Sequence, residues 1–268
     1  METERIDLLL VKKGLAETRN KAQALIMAGE VKVDGKVVDK PGTRVATTAA
    51  LEVAAGLPYV SRGGLKLRRA LDVFPVTVAG RICLDAGAST GGFTDCLLQE
   101  GAQLVIAVDV GYGQLAWKLR QDPRVVVMEK TNIRYLSPEQ LPAQPSLATA
   151  DLSFISIGKV LPVLTKLLSA DGELIFLIKP QFEAGRHQVG KKGVVRSPAV
   201  HREVLAKVIA LGEEAGFSCA GLTHSPVLGP EGNIEFLIHW RKGASDPVDP
   251  DPEAVVAAAW EDLKAKQK

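Results

Sequence analysis

The stretch LDAGASTGGF, residues Leu84–Phe93, decides how the rest of the chain is read. Gly87-Ala88-Ser89-Thr90-Gly91 has the G-x-S-x-G spacing of a serine-hydrolase nucleophile elbow. The same residues also form a glycine-rich turn between a buried strand, RICLDAG, and a helix, GFTDCLLQEG, the layout that holds a nucleotide-like cofactor. An elbow needs an oxyanion-hole segment upstream, then an acid and a histidine downstream. Upstream lies only a basic head with no glycine-rich segment. His224 and His239 come late enough, but neither has a neighbourhood that marks it, and His239 falls inside a strand pattern. The cofactor loop explains more residues. Gly87, Gly91 and Gly92 let the backbone approach a ligand, and the helix N-terminus that follows points at it. Asp109 ends the second strand, 24 positions after Asp85, where an acid would hold ribose hydroxyls. The order D-x-G-x-S-x-G-G departs from the dinucleotide pattern G-x-G-x-x-G. Its leading carboxylate would repel a pyrophosphate but suits an amine and a sulfonium, so S-adenosylmethionine is the expected cofactor. Ser89, Thr90, Phe93 and Val110 complete the expected cofactor site, with Asn132, just past the third strand, where such folds meet adenine.

Outward from the loop, strands and helices alternate. LVIAVDV, VVVME, LATADL and GELIFLIKP read as strands; QLAWKLRQD, IGKVLPVLTKLL and PAVHREVLAKVIALGEEAG read as helices. Near-continuous apolar strands between helices specify a parallel, doubly wound α/β sheet. CAGLTHSPV and NIEFLIHW follow with little between them and predict an antiparallel finish. ASDPVDPDPE reads as a Pro/Asp linker and AVVAAAWEDLKAKQK as a terminal helix without an evident task.

The chain has 268 residues, 46% hydrophobic and 24% charged. No apolar run approaches the ~20 residues of a spanning helix. The start, METERIDLLLVKKGLAE, lacks the apolar stretch and cleavage site of a signal peptide. Cys83, Cys96 and Cys219 match no metal spacing and read as reduced structural thiols, so no metal is expected and a cytoplasmic location is. Residues 1–70 carry 13 Lys+Arg against 8 Asp+Glu, and the rest 20 against 23. A basic head on a slightly acidic body points to a polyanionic partner for the head.

Within the head, Ile6, Leu9 and Leu10 mark a helix that Gly14 can stop. Thr18 can cap a second helix ended by Gly29, and Asp34-Gly35 is a hairpin signal. Lys12, Lys13, Arg19, Lys21, Lys32 and Lys36 are its basic surface. Arg5-Ile6-Asp7, Gly14-Leu15, Thr18-Arg19-x-x-Ala22, Ile26-x-x-Gly29-x-Val31-x-Val33-Asp34-Gly35 and Lys40-Pro41-Gly42 resemble the S-four RNA-binding domain. That resemblance implies docking on folded RNA through shape and phosphates, with Arg5, Lys12, Lys13, Arg19 and Lys21 as contacts.

The strings SRGGLKL (61–67), LDAGASTGGFTD (84–95), VDVGYGQLAWKLR (108–120), ADLSFISI (150–157), IKPQFEAGRHQVGKKGVVR (178–196) and GNIEF (232–236) resemble the TlyA family. That family comprises hemolysin A-like ribosomal RNA 2′-O-methyltransferases of the FtsJ-like type. The resemblance implies a Rossmann-like S-adenosylmethionine-dependent methyltransferase sheet, mostly parallel with its last strand antiparallel. It also implies methylation of a ribose 2′-hydroxyl, with cytidine as the expected nucleoside. Ribosomal RNA or ribosomal subunits are the implied partner, with neither membrane nor DNA. Its Lys-Asp-Lys-Glu tetrad falls on Lys66, Asp151, Lys179 and Glu235, read as lying at strand ends or in a strand. A hydroxyl is a weak nucleophile and needs a base beside it. Lysine can serve only if its pKa falls from about 10.4. Arg186, Lys191, Lys192 and Arg196 lie in a glycine-rich stretch read as a clamp on RNA phosphates, joined by Arg62. The expected boundaries are 1–54 for the RNA-binding domain, 55–60 for a linker, 61–243 for the methyltransferase domain and 244–268 for the linker and terminal helix. The alternatives are an inactive RNA-binding ribosome factor and a membrane-active hemolysin. The first would show a broken tetrad or loop, and here both are intact. The second needs a spanning or strongly amphipathic segment.

Overall fold

The computed structural model describes residues 2–27, 29–53, 57–243 and 248–264. Of the expected connectors, residues 55 and 56 of the first and 244–247 of the second lie outside the described residues. The chain divides into two units, Met1–Pro58 and Tyr59–Lys268.

The first unit runs β1 (Thr3–Arg5), α1 (Ile6–Lys12), α2 (Arg19–Met27), β2 (Val31–Val33), β3 (Lys36–Val37), β4 (Arg44–Ala46) and β5 (Leu51–Val53). β1 pairs with β4, and β2 lies between β3 and β5. Asp34 and Gly35 both take positive φ, 49° and 78°, so the β2–β3 turn has the twist a two-residue hairpin prefers. Thr18 Oγ1 accepts the Lys21 N–H at 3.2 Å and caps α2 as expected. Ile6, Leu9, Leu10, Ala22, Ile26 and Val31 form the small core. Asp7 is wholly buried beside it. Its carboxylate accepts from Arg5 at 2.9 and 3.0 Å, from Gln23 at 3.0 Å and from Arg19 at 3.0 Å. The Arg5 guanidinium, helped by Gln23 and Arg19, outweighs burial and holds the Asp7 carboxyl well below the usual carboxylate range.

The second unit opens with α3 (Gly63–Val73), β6 (Ile82–Ala86), α4 (Gly92–Gln99), β7 (Leu104–Val108), α5 (Trp117–Arg120), β8 (Val125–Met128) and β9 (Leu147–Ala150). It continues with α6 (Leu161–Leu167), β10 (Glu173–Ile178), α7 (Pro180–Glu183), α8 (Pro198–Glu214), β11 (Phe217–His224), β12 (Phe236–Lys242) and α9 (Pro252–Lys264). One seven-stranded sheet has the order β11-β12-β10-β9-β6-β7-β8. Only β12 is reversed; it runs antiparallel to both neighbours. The order turns back at β6, with β7 on one side and β9 on the other. Ligands bind at such a switch point, beyond the carboxyl ends of the strands. The reversed β12 adds something to that edge. Phe236, its first residue, pairs with Ile178, the last of β10, so whatever precedes Phe236 arrives beside Lys179.

Two corrections concern the flanks. AAGLPYVSRGG, residues 54–64, reads from its glycines and proline as a connector, and Lys66 as a strand-end residue, yet Gly63–Val73 is a helix that packs on α4. Lys66, Leu67, Ala70 and Leu71 form its buried face. Its glycines mark close packing. A Cβ on Gly92 would stand 2.8 Å from the Gly64 nitrogen, and one on Gly64 would stand 2.2 Å from the Tyr59 ring. Tyr59 is itself buried, and the Val60 N–H donates to Asp95 Oδ2 at 2.8 Å, so both residues are built into the second unit. The terminal helix, expected without a task, packs against α8 and β11. Val256, Ala259 and Leu263, at helical spacing, are buried in the main core. Trp260 Nε1 donates to the buried His201 at 3.2 Å.

Candidate active site

The glycine loop leaves β6 and is fixed from both sides. The Gly87 N–H donates to the Val108 carbonyl at 2.8 Å, and Gly87 takes φ 85°. Asp109, directly after β7, accepts the Ser89 N–H on Oδ2 at 2.8 Å and the Gly111 N–H on Oδ1 at 2.6 Å. One carboxylate thereby locks the tip of the glycine loop to the loop after β7. Asp85 lies beneath. It is wholly buried, accepts from Thr94 at 2.7 Å and Thr149 at 3.4 Å, and lines no cavity described here. Burial pushes its carboxyl up to about 7; the Thr94 hydroxyl opposes this and the Asp151 charge adds to it.

Two adjoining cavities follow the sheet edge. The smaller, about 270 Å³, is lined by Ser61, Arg62, Gly63, Lys66, the loop residues Gly87–Thr90, Gly92, Phe93, Asp151, Lys179, Gly229 and Pro230. The larger, about 600 Å³, includes Gly87, Ser89, Asp109, Val110, Gln114, Asn132, Asp151 and Phe154. They share Gly87, Ser89 and Asp151, which makes one elongated cleft. Gly91 lines neither. Asn132 stands at the larger cavity and accepts the Arg134 N–H at 3.1 Å. A third, mainly apolar slot of about 330 Å³ adjoins Lys179, with Phe154, Phe182, Val189 and Pro230 among its walls.

The four tetrad positions converge as two ion pairs. Lys66 Nζ is 2.5 Å from Glu235 Oε2, and Lys179 Nζ is 2.6 Å from Asp151 Oδ1. Four different parts of the fold supply them: α3, the ends of β9 and β10, and the start of the reversed β12. Glu235 is wholly buried immediately before β12, not inside a strand, and its N-terminal neighbours return past it through Gly229. Burial pushes the Glu235 carboxyl up, while Lys66 and, less strongly, Lys179 pull it down. Lys179 also donates to Ser153 Oγ at 2.8 Å. Lys66 and Lys179 are both buried but open onto the small cavity, and Lys179 also borders the apolar slot.

The expected RNA contacts divide by environment. Arg5 and Arg19 are committed to Asp7, Lys12 lies 3.2 Å from Glu4, and Lys13 donates to the Ala49 carbonyl at 3.1 Å. Lys21, Arg62, Arg186, Lys191, Lys192 and Arg196 are exposed. Ser153, Phe154 and Glu183 were missed at the sequence level, although all three sit inside the strings ADLSFISI and IKPQFE. Phe154 is 91% exposed with φ 63°, an unusual pairing of conformation and surface for a large apolar residue. No described helix is long and apolar enough to cross a membrane.

A cleft of this form, over a sheet with one reversed strand, defines a class: α/β methyltransferases. The chain belongs to the TlyA group of FtsJ-like methyltransferases; the FtsJ-like family matches residues 59–242 and the S4 domain residues 4–49. It is 52% identical to the rRNA methyltransferase candidate YqxC of Bacillus subtilis, across 98% of this chain and 96% of that one. It is 49% identical to the 16S/23S rRNA (cytidine-2′-O)-methyltransferase TlyA of Mycobacterium tuberculosis, across 90% and 91%. A hemolysin candidate from Streptococcus thermophilus superposes with a TM-score of 0.77 at 47% identity, covering 100% of this chain and 99% of that one. An S-adenosylmethionine-dependent methyltransferase from Mesorhizobium loti shares the fold, with a TM-score of 0.50 at 16% identity over 68% of this chain and 100% of that one.

Proposed function

We propose that this protein transfers a methyl group from S-adenosylmethionine to the 2′-hydroxyl of a cytidine in folded ribosomal RNA or a ribosomal subunit. One observation carries the reading. Two lysine–carboxylate pairs, 2.5 and 2.6 Å long, one with a wholly buried carboxylate and one half-buried, face a cleft built from the glycine loop and Asp109. A ligand pocket of several hundred Å³ that is mostly preformed suits a nucleoside with an amino-acid arm. Asp109, Val110 and Asn132 on one side, and Gly87, Ser89, Thr90, Gly92 and Phe93 on the other, would hold that cofactor. Bound there, S-adenosylmethionine supplies an electrophilic methyl on a sulfonium. Asp85 acts from below: through Thr94 it fixes the start of α4 behind the loop, as Gly91 does by sharp turning.

The chain's own groups then handle the proton. Lys179 borders both the cofactor cleft and the slot beside it, so it is placed to accept the ribose hydroxyl proton. Asp151 and Ser153 orient its ammonium group. Lys66, held by Glu235, keeps a fixed charge at the cleft wall. The exposed Arg62, Arg186, Lys191, Lys192 and Arg196 would meet RNA phosphates, and the head, through Lys12, Lys13 and Lys21 beside the Asp7-bound Arg5 and Arg19, would grip folded RNA. Such a substrate places the protein in the cytoplasm. The test is to incubate the full chain with S-adenosylmethionine and ribosomal subunits that lack the modification, then map ribose methylation. New 2′-O-methylcytidine in ribosomal RNA is expected. Methyl groups found only on bases, or no transfer to RNA, would overturn the reading.

A further inference from the structure

Both partners of Lys179 sit in one loop. Asp151 Oδ1 is 2.6 Å from its Nζ, and Ser153 Oγ accepts from it at 2.8 Å. The next residue, Phe154, takes φ 63°, a conformation that disfavours a residue with a Cβ. Its side chain is 91% exposed, and the ring it meets is Phe182, at 5.0 Å between centroids. A strained backbone of this kind persists only where its surroundings over-determine it. Upstream, the loop is pinned by the sheet: the Asp151 N–H donates to the Ala86 carbonyl at 3.0 Å.

Downstream, Ile157 is buried in the main core, and one carboxylate supplies the polar anchor. The Ile157 N–H donates to Glu183 Oε1 at 2.8 Å, and the Ser156 hydroxyl donates to Glu183 Oε2 at 2.9 Å. Glu183 closes α7, the short helix that starts directly after Lys179, and its side chain is 2% exposed. Lys207, on α8, donates to the Glu183 carbonyl at 2.9 Å and stands 4.0 Å from Oε2. The carboxylate therefore joins the segment that bears Lys179 to the segment that bears both of its partners. Glu183 lines none of the three cavities described above. A buried carboxylate is costly unless hydrogen-bonded, and among the described residues both hydrogen bonds this one accepts come from the loop.

We propose that Glu183 is a positioning residue for methyl transfer: its carboxylate holds the 151–157 loop in the strained form that sets Asp151 and Ser153 against Lys179. The proposal rests on the reading of the cleft given above. It assigns Glu183 no contact with substrate; it acts through the loop alone. Glutamine is the informative substitute. Its Oε1 can still accept from Ile157, and its amide can donate to Ser156 Oγ, whose hydroxyl accepts as readily as it donates.

The test uses the full chain, with S-adenosylhomocysteine as the calorimetric probe and ribosomal subunits as methyl acceptor. In Glu183→Ala, kcat should fall about 100-fold, the scale of an ~1 Å misplacement of a catalytic group. KM for subunits should stay within about threefold, while affinity for S-adenosylhomocysteine should weaken by much less than kcat falls, since residues 151–156 form only one wall of the larger cavity. Glu183→Gln should recover kcat to within about fivefold of the wild type, given its retained bonds. Ser156→Ala, which removes one of the two bonds, should fall between. Hydrogen exchange at the Ile157 amide reads the clamp without any activity: Glu183→Ala should lose its protection. If Glu183→Ala turns over within threefold of the wild type, or Glu183→Gln is as impaired as Glu183→Ala, the proposal fails. It also fails if kcat, KM and cofactor affinity all collapse together, as general unfolding would produce. A wild type that methylates no RNA overturns the function, while retained protection at Ile157 in Glu183→Ala overturns the clamp by itself.

Discussion

Gly87→Ala tests the contact on which the cleft turns. Gly87 takes φ 85°, where alanine loses roughly 1–2 kcal/mol from its Cβ alone. The new Cβ would also stand 2.4 Å from the Asp151 carbonyl oxygen and 3.0 Å from Leu152 Cδ2. Reaching an ordinary 3.4 Å contact requires the ends of β6 and β9 to part by about 1 Å. Neither end is free to move. The Gly87 N–H is bonded to Val108 at 2.8 Å and the Asp151 N–H to Ala86 at 3.0 Å. Losing one of these bonds adds about 1 kcal/mol, so the total destabilisation should be about 2–3 kcal/mol. The same displacement shifts Asp151 against Lys179 and should cost about 100-fold in turnover. Gly80→Ala is the matched control: φ is 74° and nothing lies within 4 Å of its Cβ. It should show the backbone strain of about 1–2 kcal/mol and unchanged turnover. Urea denaturation of both variants and methyl transfer to ribosomal subunits measure the two effects. A Gly87→Ala protein as stable as Gly80→Ala, or one turning over within threefold of the wild type, refutes the steric account.

Lys66→Met strands the wholly buried Glu235 without its cation and should cost about 3–5 kcal/mol in denaturation. Adding Glu235→Leu should restore most of that stability but not activity. Lys179→Arg keeps the charge and cannot deprotonate at working pH, so it should abolish turnover while S-adenosylhomocysteine affinity measured by calorimetry stays unchanged. Burial lowers the His201 pKa from 6.5 to about 4. The unfolded chain therefore takes up this proton first, and stability should fall as pH drops from about 6.5 to about 4, by up to ~1.4 kcal/mol per unit. His201→Gln should flatten that part of the curve, as read from urea midpoints across pH.

The sheet was legible because its strands are apolar runs bounded by glycine, proline or a charged residue, and because parallel strands buried on both faces leave no other reading. The glycine loop and Asp109 were legible for the same reason: each directly follows such a run. α3 was not. Its buried face, Lys66-Leu67 and Ala70-Leu71, is narrow, and SRGG ahead of it has the composition of a turn. The glycines there serve helix packing against Gly92, a contact between residues some thirty positions apart that no local pattern encodes. The tetrad members could be named from their strings, but their pairing could not be read. Lys66 meets Glu235 only because β12 runs backwards and begins at the edge where β10 ends. Asp85 has the sequence position of a ligand contact and the burial of a strut, and burial depends on how α4 folds over it. Glu183 is one more acid after a strand until Ser156 and Ile157 are brought onto it.

The two pairs sit in different surroundings. Glu235 is wholly buried, and among the described residues the hydrogen bond it accepts comes from Lys66. An unpaired carboxylate there is strongly disfavoured. Burial already pushes the Glu235 carboxyl up with the lysines in place. Asp151, by contrast, is 22% exposed where the 270 and 600 Å³ cavities meet, and water can solvate it there. Lys179 also borders both the smaller cavity and the apolar slot, whereas Lys66 borders only the smaller cavity. Solvation of the partner and access to the slot both support the proposal that Lys179 is the base and Lys66 the standing charge.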